Sequence, residues 1–381
     1  MANILILGSG TQCLAIVQAL KNIDCQINLL NSGKNNYGDV SRYIEKKFVA
    51  KDNISSATYL KQLELILKEE DIDIIIPMGD VTAEFLSRHK QELLKVASFQ
   101  IPDYADFIRG YDKNQLLKLC QEGNYPHPKT LDLSSVDLGK DADVLNFPYP
   151  AMLKPNMTTG GRGMVKIDNY EKLLNIYPSL HEQFGGYHLQ QFIKPGGRQI
   201  KVQLYIDSEK ELVASSVIEK KRWYPVQGGS NCCAVTIKDD SLVDMCYHIL
   251  LDLNWLGFAD FDLIEDPDTH QLLVMEINPR VPACIKSPIA AGLNWGQVFV
   301  DSCLGKNKQE YSYKEGVVLR HLGFDILWFI KSPNRWKSKP SWFKFFGKNI
   351  YYQDMSDWTD PKPFFGGTWN NIKKLFTGHA K

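Results

Sequence analysis

Residues Gly257–Arg280 read GFADFDLIEDPDTHQLLVMEINPR: two apolar runs that alternate with acids, joined by a polar turn. Strand side chains alternate between faces, so Asp260 and Asp262 share one face, as do Glu276 and Asn278. A hairpin centred on Thr269 sets Asp262 opposite Glu276 and Asp260 opposite Asn278. Like charges directly opposite are destabilising unless a cation lies between them. Hard oxygen donors of this kind suit Mg²⁺, which bridges carboxylates and substrate phosphates. An exposed polar face is the competing reading, but strict alternation running into Asn-Pro-Arg favours the metal. Parity alone does not choose between Asp260 and Asp262 as the ligand.

Upstream, Tyr149–Pro155 and Met164–Ile167 are two β segments around Thr158-Thr159-Gly160-Gly161-Arg162-Gly163. A loop rich in glycine and hydroxyls exposes backbone N–H groups that can close over phosphate oxygens. It lacks the Lys-Ser/Thr and following helix of a Walker A loop, and a plain hairpin turn is the alternative. Lys154, on the incoming strand, supplies a point charge suited to phosphate.

Residues 1–110 alternate short apolar runs (Asn3–Leu7, Gln26–Leu30, Ile72–Pro77) with amphipathic helices (Gln12–Asn22, Tyr59–Glu69). That pattern predicts a parallel α/β sheet covered on both faces. Gly8-Ser9-Gly10 is a partial dinucleotide fingerprint. Cys13 replaces its third glycine, and the second strand ends at Asn31 where an acid would bind ribose, so a tight structural turn is favoured over a nicotinamide site. Near 105–112 the texture changes to a helix over 112–123 and then mostly strand and turn, which marks a boundary.

The 381 residues are 44% hydrophobic and 23% charged, enough for two or three cores. Lys plus Arg equals Asp plus Glu at 44 each, which argues against a dedicated nucleic-acid binder. No apolar run approaches the ~18 residues of a membrane span. Eight cysteines form no CxxC pair, consistent with reduced thiols and a cytoplasmic setting.

Taken together, these motifs resemble the ATP-grasp ligases over about residues 1–305. The resemblance implies an α/β N-terminal pre-grasp domain (1–110) followed by an α+β ATP-grasp fold. That fold divides into a small lid subdomain (111–192), a large subdomain with the metal site (193–310) and a basic aromatic extension (311–381). It implies ATP and two Mg²⁺ ions, with Lys113 and Lys154 as nucleotide-binding lysines and Thr159, Gly160, Gly161 and Gly163 in the phosphate-covering loop. The backbone near Phe192 and Ile193 would meet adenine, beside Gln191 and Gln199, which stand where the family usually has acids. Asp262, Glu276 and Asn278 match the metal ligands, and Arg280 the arginine that steadies the transferring phosphoryl group alongside Lys154. Arg222 is suited to hold a substrate carboxylate, and Gly229 and Ser230 to position a substrate backbone.

The activity implied is ligation of a small-molecule carboxylate to an amine through an acyl phosphate. A carboxyphosphate-forming enzyme, or a nucleotide-binding module without catalysis, are the alternatives. From Lys331 onward ten Lys or Arg face three Asp, with twelve aromatic rings. The expectation is that these rings pack back on the body; peripheral contact with a membrane surface is the less favoured reading.

Overall fold

The structure, a computed structural model, describes residues 1–33, 37–134, 136–158, 160–226, 228–306, 309–355 and 357–366. The first unit is a parallel sheet of order β3-β2-β1-β4, built from β1 (Ala2–Leu7), β2 (Cys25–Asn31), β3 (Lys46–Val49) and β4 (Ile74–Pro77). Its inner strands are continuous apolar runs because α1 (Thr11–Leu20), α2 (Ala57–Glu69) and α3 (Asp80–Arg88) bury both faces. Cys13 fits where a third glycine would normally relieve crowding because Gly38 faces it: a Cβ there would lie 2.6 Å from the Cys13 sulfur. Asn31 turns its side chain onto its own loop and accepts from Gly33 N at 2.7 Å.

A second sheet, order β5-β8-β6-β7, is antiparallel: β5 (Thr130–Asp132), β6 (Ala151–Pro155), β7 (Val165–Ile167) and β8 (Tyr187–Gln191). Helix Tyr170–Phe184 covers it, and Leu153, Ile167, Leu173 and Leu189 form a core of their own.

The third sheet has seven strands in the order β13-β12-β9-β10-β11-β14-β15. They are β9 (Gln199–Ile206), β10 (Leu212–Tyr224), β11 (Ser230–Ile237), β12 (Gly257–Glu265), β13 (Leu272–Asn278), β14 (Val318–Arg320) and β15 (Ile350–Tyr352). Helix Asp240–Asp252 presents Leu242, Cys246, Ile249 and Leu250 to it, one apolar stripe at helical spacing. This sheet shares a core with the N-terminal unit, in which Leu5 and Ile75 belong to the same cluster as Val202 and Phe261. At that seam Trp255 stacks on Phe107 with 6.2 Å between ring centres, over Gly110, whose Cβ would lie 2.6 Å from the indole. The small sheet therefore has a separate core, while the other two sheets are packed together.

The basic aromatic segment is not a loose tail. β14 and β15 complete the large sheet, and helix Leu322–Lys331 packs on β10. Residues 353–355 and 357–360 then return to the N-terminal unit. Gln353 Nε2 donates to Thr11 Oγ1 at 3.0 Å, Lys21 pairs with Asp357, and Asp360 accepts from Ser41 Oγ at 2.5 Å and Arg42 N at 3.1 Å. Trp342 and Phe345 are partly covered, but Trp336 is 72% exposed, Phe346 90% and Trp358 99%. Trp369 and Phe376 lie outside the described residues. Among the described residues no helix is long and apolar enough to cross a membrane.

Candidate active site

One face of four adjacent strands carries the polar cluster. The β12–β13 register sets Asp262 opposite Glu276 and Asp260 opposite Asn278, as the hairpin reading expected. The β9–β12 register adds a row: Lys201 lies opposite Asp262 and Gln203 opposite Asp260. Lys201 Nζ is 2.6 Å from Asp260 Oδ2 and 2.8 Å from Asp262 Oδ2, and Lys220 Nζ is 2.5 Å from Asp262 Oδ1. Burial alone would raise the Asp262 carboxyl, but Lys201 and Lys220 outweigh it and hold it well below the usual carboxylate range. Asp260, with no solvent exposure, is pushed upward by burial, partly offset by Lys201.

Asn278 donates to Asp262 Oδ2 at 3.1 Å and accepts from Arg280 at 3.2 Å through its own Oδ1. Arg280 Nε also reaches Asp80 Oδ1 at 3.1 Å, so the first residue of α3 joins the N-terminal unit to this cluster. Glu276 is more open: its side chain is 34% exposed and meets Lys113 at 3.2 Å.

Lys113 opens helix Lys113–Glu122, capped by Asp112, whose carboxylate accepts from Gln115 N at 3.0 Å. Its ammonium also donates to Thr158 O at 3.0 Å, tying the glycine loop to the β13 carboxylate. Lys154, buried on β6, donates to Gln190 Oε1 on β8. Burial brings its pKa down to about 8, with Glu276 opposing the shift and Lys113 adding to it. His188 beside it is held neutral, first by burial and then by Lys154 and Lys113. In the loop, Gly160, Gly161 and Gly163 have φ of 66°, 72° and 73°. A Cβ on Gly163 would also lie 2.9 Å from both Pro155 Cγ and the Tyr187 hydroxyl, so glycine is required there. Thr159 lies outside the described residues.

Phe192 and Ile193 follow β8 and are half-buried, and the Lys166 ammonium sits 4.4 Å from the Phe192 ring centre. Gln191 Oε1 accepts from Lys129 N at 3.2 Å, within its own sheet. Gln199 opens β9, paired with Lys220. Gly229 and Ser230 lie where β10 turns into β11, with Gly229 packed so tightly on Tyr224 O that a Cβ would approach to 2.4 Å.

Arg222 requires a correction. A register shift separates it from Lys220, which pairs with Ala234 while Arg222 pairs with Cys233, and Arg222 is only 1% exposed. It donates to both oxygens of Asp325, at 2.6 and 2.9 Å, and to Pro340 O at 2.7 Å, with Trp328 beneath it. The carboxylate it holds belongs to the chain itself.

The sequence reading singles out neither Lys201 nor Asp80 as a site residue. The available signal was the run Gln199-Ile200-Lys201-Val202-Gln203, which alternates polar and apolar side chains with a lysine at its centre.

As a donor set for Mg²⁺, Glu276 offers an open carboxylate, and Asn278 an amide oxygen that accepts from Arg280 and keeps a second lone pair for a hard cation. Asp262 is less open, since both of its oxygens already accept from ammonium groups and Oδ2 accepts from Asn278 as well.

Residues 112–293 match the family described as carbamoyl-phosphate synthase L chain, ATP binding domain. Among curated proteins, D-aspartate ligase of Enterococcus faecium is 24% identical over 266 residues, 62% of either chain. The carbamoyl phosphate synthase large chain of Caldanaerobacter subterraneus is 24% identical over 268 residues, covering 67% of this chain and 24% of that one. The chain thus spans under two thirds of the length of these relatives. Among solved structures, biotin carboxylase of Campylobacter jejuni superposes with a TM-score of 0.67 at 16% identity, covering 83% of this chain and 74% of that one. The L-amino acid ligase of Bacillus licheniformis gives 0.63 at 14%, covering 81% and 75%. The N5-carboxyaminoimidazole synthetase of Staphylococcus aureus gives 0.67 at 14%, covering 87% and 86%. At these identities the likeness establishes a shared fold.

Proposed function

We propose that this chain, whose residues 112–293 match the carbamoyl-phosphate synthase L chain ATP-binding domain, is an ATP-grasp protein and an ATP-dependent carboxylate–amine ligase. Residues 1–110 act as the pre-grasp domain, 111–192 as the lid, 193–310 as the large subdomain, and 311–381 as an extension that completes the large sheet. One observation carries the reading: Lys113 links the loop at Thr158 to Glu276, so lid, nucleotide lysine and metal-type carboxylate meet at one point.

Lys113 and Lys154 hold the phosphate chain, and the Gly160–Gly163 backbone closes over it and excludes water. Phe192 and Ile193 offer their backbone to adenine. Glu276 and Asn278 would hold Mg²⁺, which would neutralise developing phosphate charge. Arg280, held in place by Asp80 and Asn278, steadies the phosphoryl group as it passes to the substrate carboxylate. The resulting acyl phosphate is attacked by the amine, releasing phosphate and forming the amide. No protein nucleophile is required, since phosphoryl transfer depends mainly on positioning and charge neutralisation.

The similarity to a D-aspartate ligase and an L-amino acid ligase favours an amino acid as one substrate. ADP release across a panel of amino acids, other carboxylates and amines tests this: dependence on one acid–amine pair supports it, and no ADP release with any pair overturns it. The likeness to biotin carboxylase and N5-carboxyaminoimidazole synthetase motivates a second reading, carboxyphosphate formation, which requires ADP release to depend on bicarbonate.

The exposed rings Trp336, Phe343 and Phe346 lie among the exposed lysines Lys337, Lys339, Lys344 and Lys348, which supports peripheral contact with an anionic lipid surface. Sedimentation with anionic vesicles at low salt tests this, and folded, monodisperse protein that stays in the supernatant refutes it.

A further inference from the structure

We propose that Lys201 and Lys220 are a built-in replacement for one of the two divalent cations that the acidic cluster would otherwise take, so that the site works with a single Mg²⁺ held at Glu276 and Asn278. The proposal rests on the ATP-dependent reading above and sharpens its metal requirement.

The placement of Lys201 is a consequence of backbone register. β9 lies between β12 and β10 in the middle of the sheet, with Lys201 paired to Asp262 on one side and Ile218 on the other. The residue is 8% exposed, so its ammonium is largely withdrawn from solvent. Asp262 and Asp260 are the acids within reach on that face, and Lys201 bonds both. Every oxygen of the two aspartates is then accounted for. Asp260 Oδ2 accepts from Lys201 at 2.6 Å and Oδ1 from Gln203 Nε2 at 3.3 Å. Asp262 Oδ2 accepts from Lys201 at 2.8 Å and Asn278 Nδ2 at 3.1 Å, and Oδ1 from Lys220 at 2.5 Å.

A Mg²⁺ ion on Asp262 would need an oxygen at about 2.1 Å and five further donors in octahedral geometry. The positions it would require are filled by two ammonium groups, which carry the same total charge of two. Adding a divalent ion there would set it against two cations at close range and displace hydrogen bonds that a buried carboxylate needs. Glu276 is different: it is a third exposed, and its ion-pair partner among the described residues, Lys113, is a residue expected to move onto the phosphates. The cluster therefore divides into a closed half, neutralised by lysine, and an open half available to metal.

The test is the number of Mn²⁺ ions bound per chain at saturating non-hydrolysable ATP analogue, read by electron paramagnetic resonance of free Mn²⁺ with the analogue's own binding measured in parallel. Wild-type protein should retain one ion per bound nucleotide, and two ions per nucleotide overturns the proposal. If the analogue does not bind at all, the ATP-dependent reading itself fails, which is a separate result from a count of two. The variant arm is Lys201→Met with Lys220→Met, which should bind two ions. Without nucleotide, millimolar Mg²⁺ should raise the melting temperature of Lys201→Met, where the metal takes the ammonium's place, and leave wild type unmoved. A folded Lys201→Met protein insensitive to Mg²⁺ counts against the proposal. If that variant does not fold, the wild-type count decides alone.

Discussion

Asp325→Asn isolates the role of Arg222. The Asp325 carboxylate is fully buried and accepts from Arg222 at 2.6 and 2.9 Å and from Arg320 at 2.6 Å, with both arginines 1% exposed. The amide variant leaves two buried guanidinium groups with no counter-charge. Removing one partner of a buried ion pair costs about 3–5 kcal/mol, and two stranded cations argue for the upper end. Unfolding entropy of ~2.1 cal/mol/K per residue amounts to roughly 0.8 kcal/mol/K for 381 residues. A loss of ~5 kcal/mol therefore lowers the Tm by roughly 6 °C. Differential scanning calorimetry should show this shift, while kcat/KM of the folded protein at 25 °C stays near wild type, because the hydrogen-bond partners of the two arginines among the described residues are Asp325 and the Pro340 and Lys344 carbonyls, not the acidic cluster. A Tm within one degree of wild type refutes the energetic argument. Arg222→Met that melts like wild type but loses turnover would return Arg222 to the substrate.

Lys154 has a pKa of about 8 in the ligand-free protein, so its charged form declines as pH rises through that value. Nucleotide affinity, followed by fluorescence titration, should weaken from pH 7 to 9, and Lys154→Arg should flatten the profile. Ligand-free stability should rise over pH 8 to 10.5, because the unfolded lysine keeps a proton that the folded one has shed; a fall across that range contradicts the assignment. Glu276→Ala, at a third-exposed position, should leave the Tm within ~2 °C but cut turnover by about 10²-fold or more, and wild-type turnover with Mg²⁺ would remove Glu276 from the site. Limited proteolysis should cut near Gly160–Gly163 in the ligand-free protein and be suppressed by nucleotide, and equal cleavage in both states argues against a lid.

What could be read in advance followed from local periodicity. The β12–β13 register was legible because a short turn and strict alternation leave few ways to pair the strands. The inner strands of the first sheet were legible as unbroken apolar runs. The edge strand Lys46–Val49 was not, since Lys46 and Lys47 give it the composition of a loop. The Arg222–Asp325 pair spans 103 residues, and nothing near Arg222 distinguishes a structural partner from a substrate. Lys201 was missed for a related reason: lysine is read as a surface residue unless the acids that bury it are known to be its neighbours. The glycine loop and Lys154 were legible as a motif, whereas Asp80 reached the site only through the packing of the N-terminal unit.

The contacts of Gln353, Asp357 and Asp360 with α1 and the segment 41–43 have a consequence for biosynthesis. Thr11 waits for a partner 342 residues later, and Ser41 for one 319 residues later. At ~5–20 residues per second, a ribosome takes on the order of 20–70 s to deliver them. During that interval the first sheet has emerged without its clasp, and the seven-stranded sheet lacks β15. Final closure of this protein is therefore a late, non-local step of its folding. A nascent chain stalled short of residue 350 should be held open and readily engaged by chaperones.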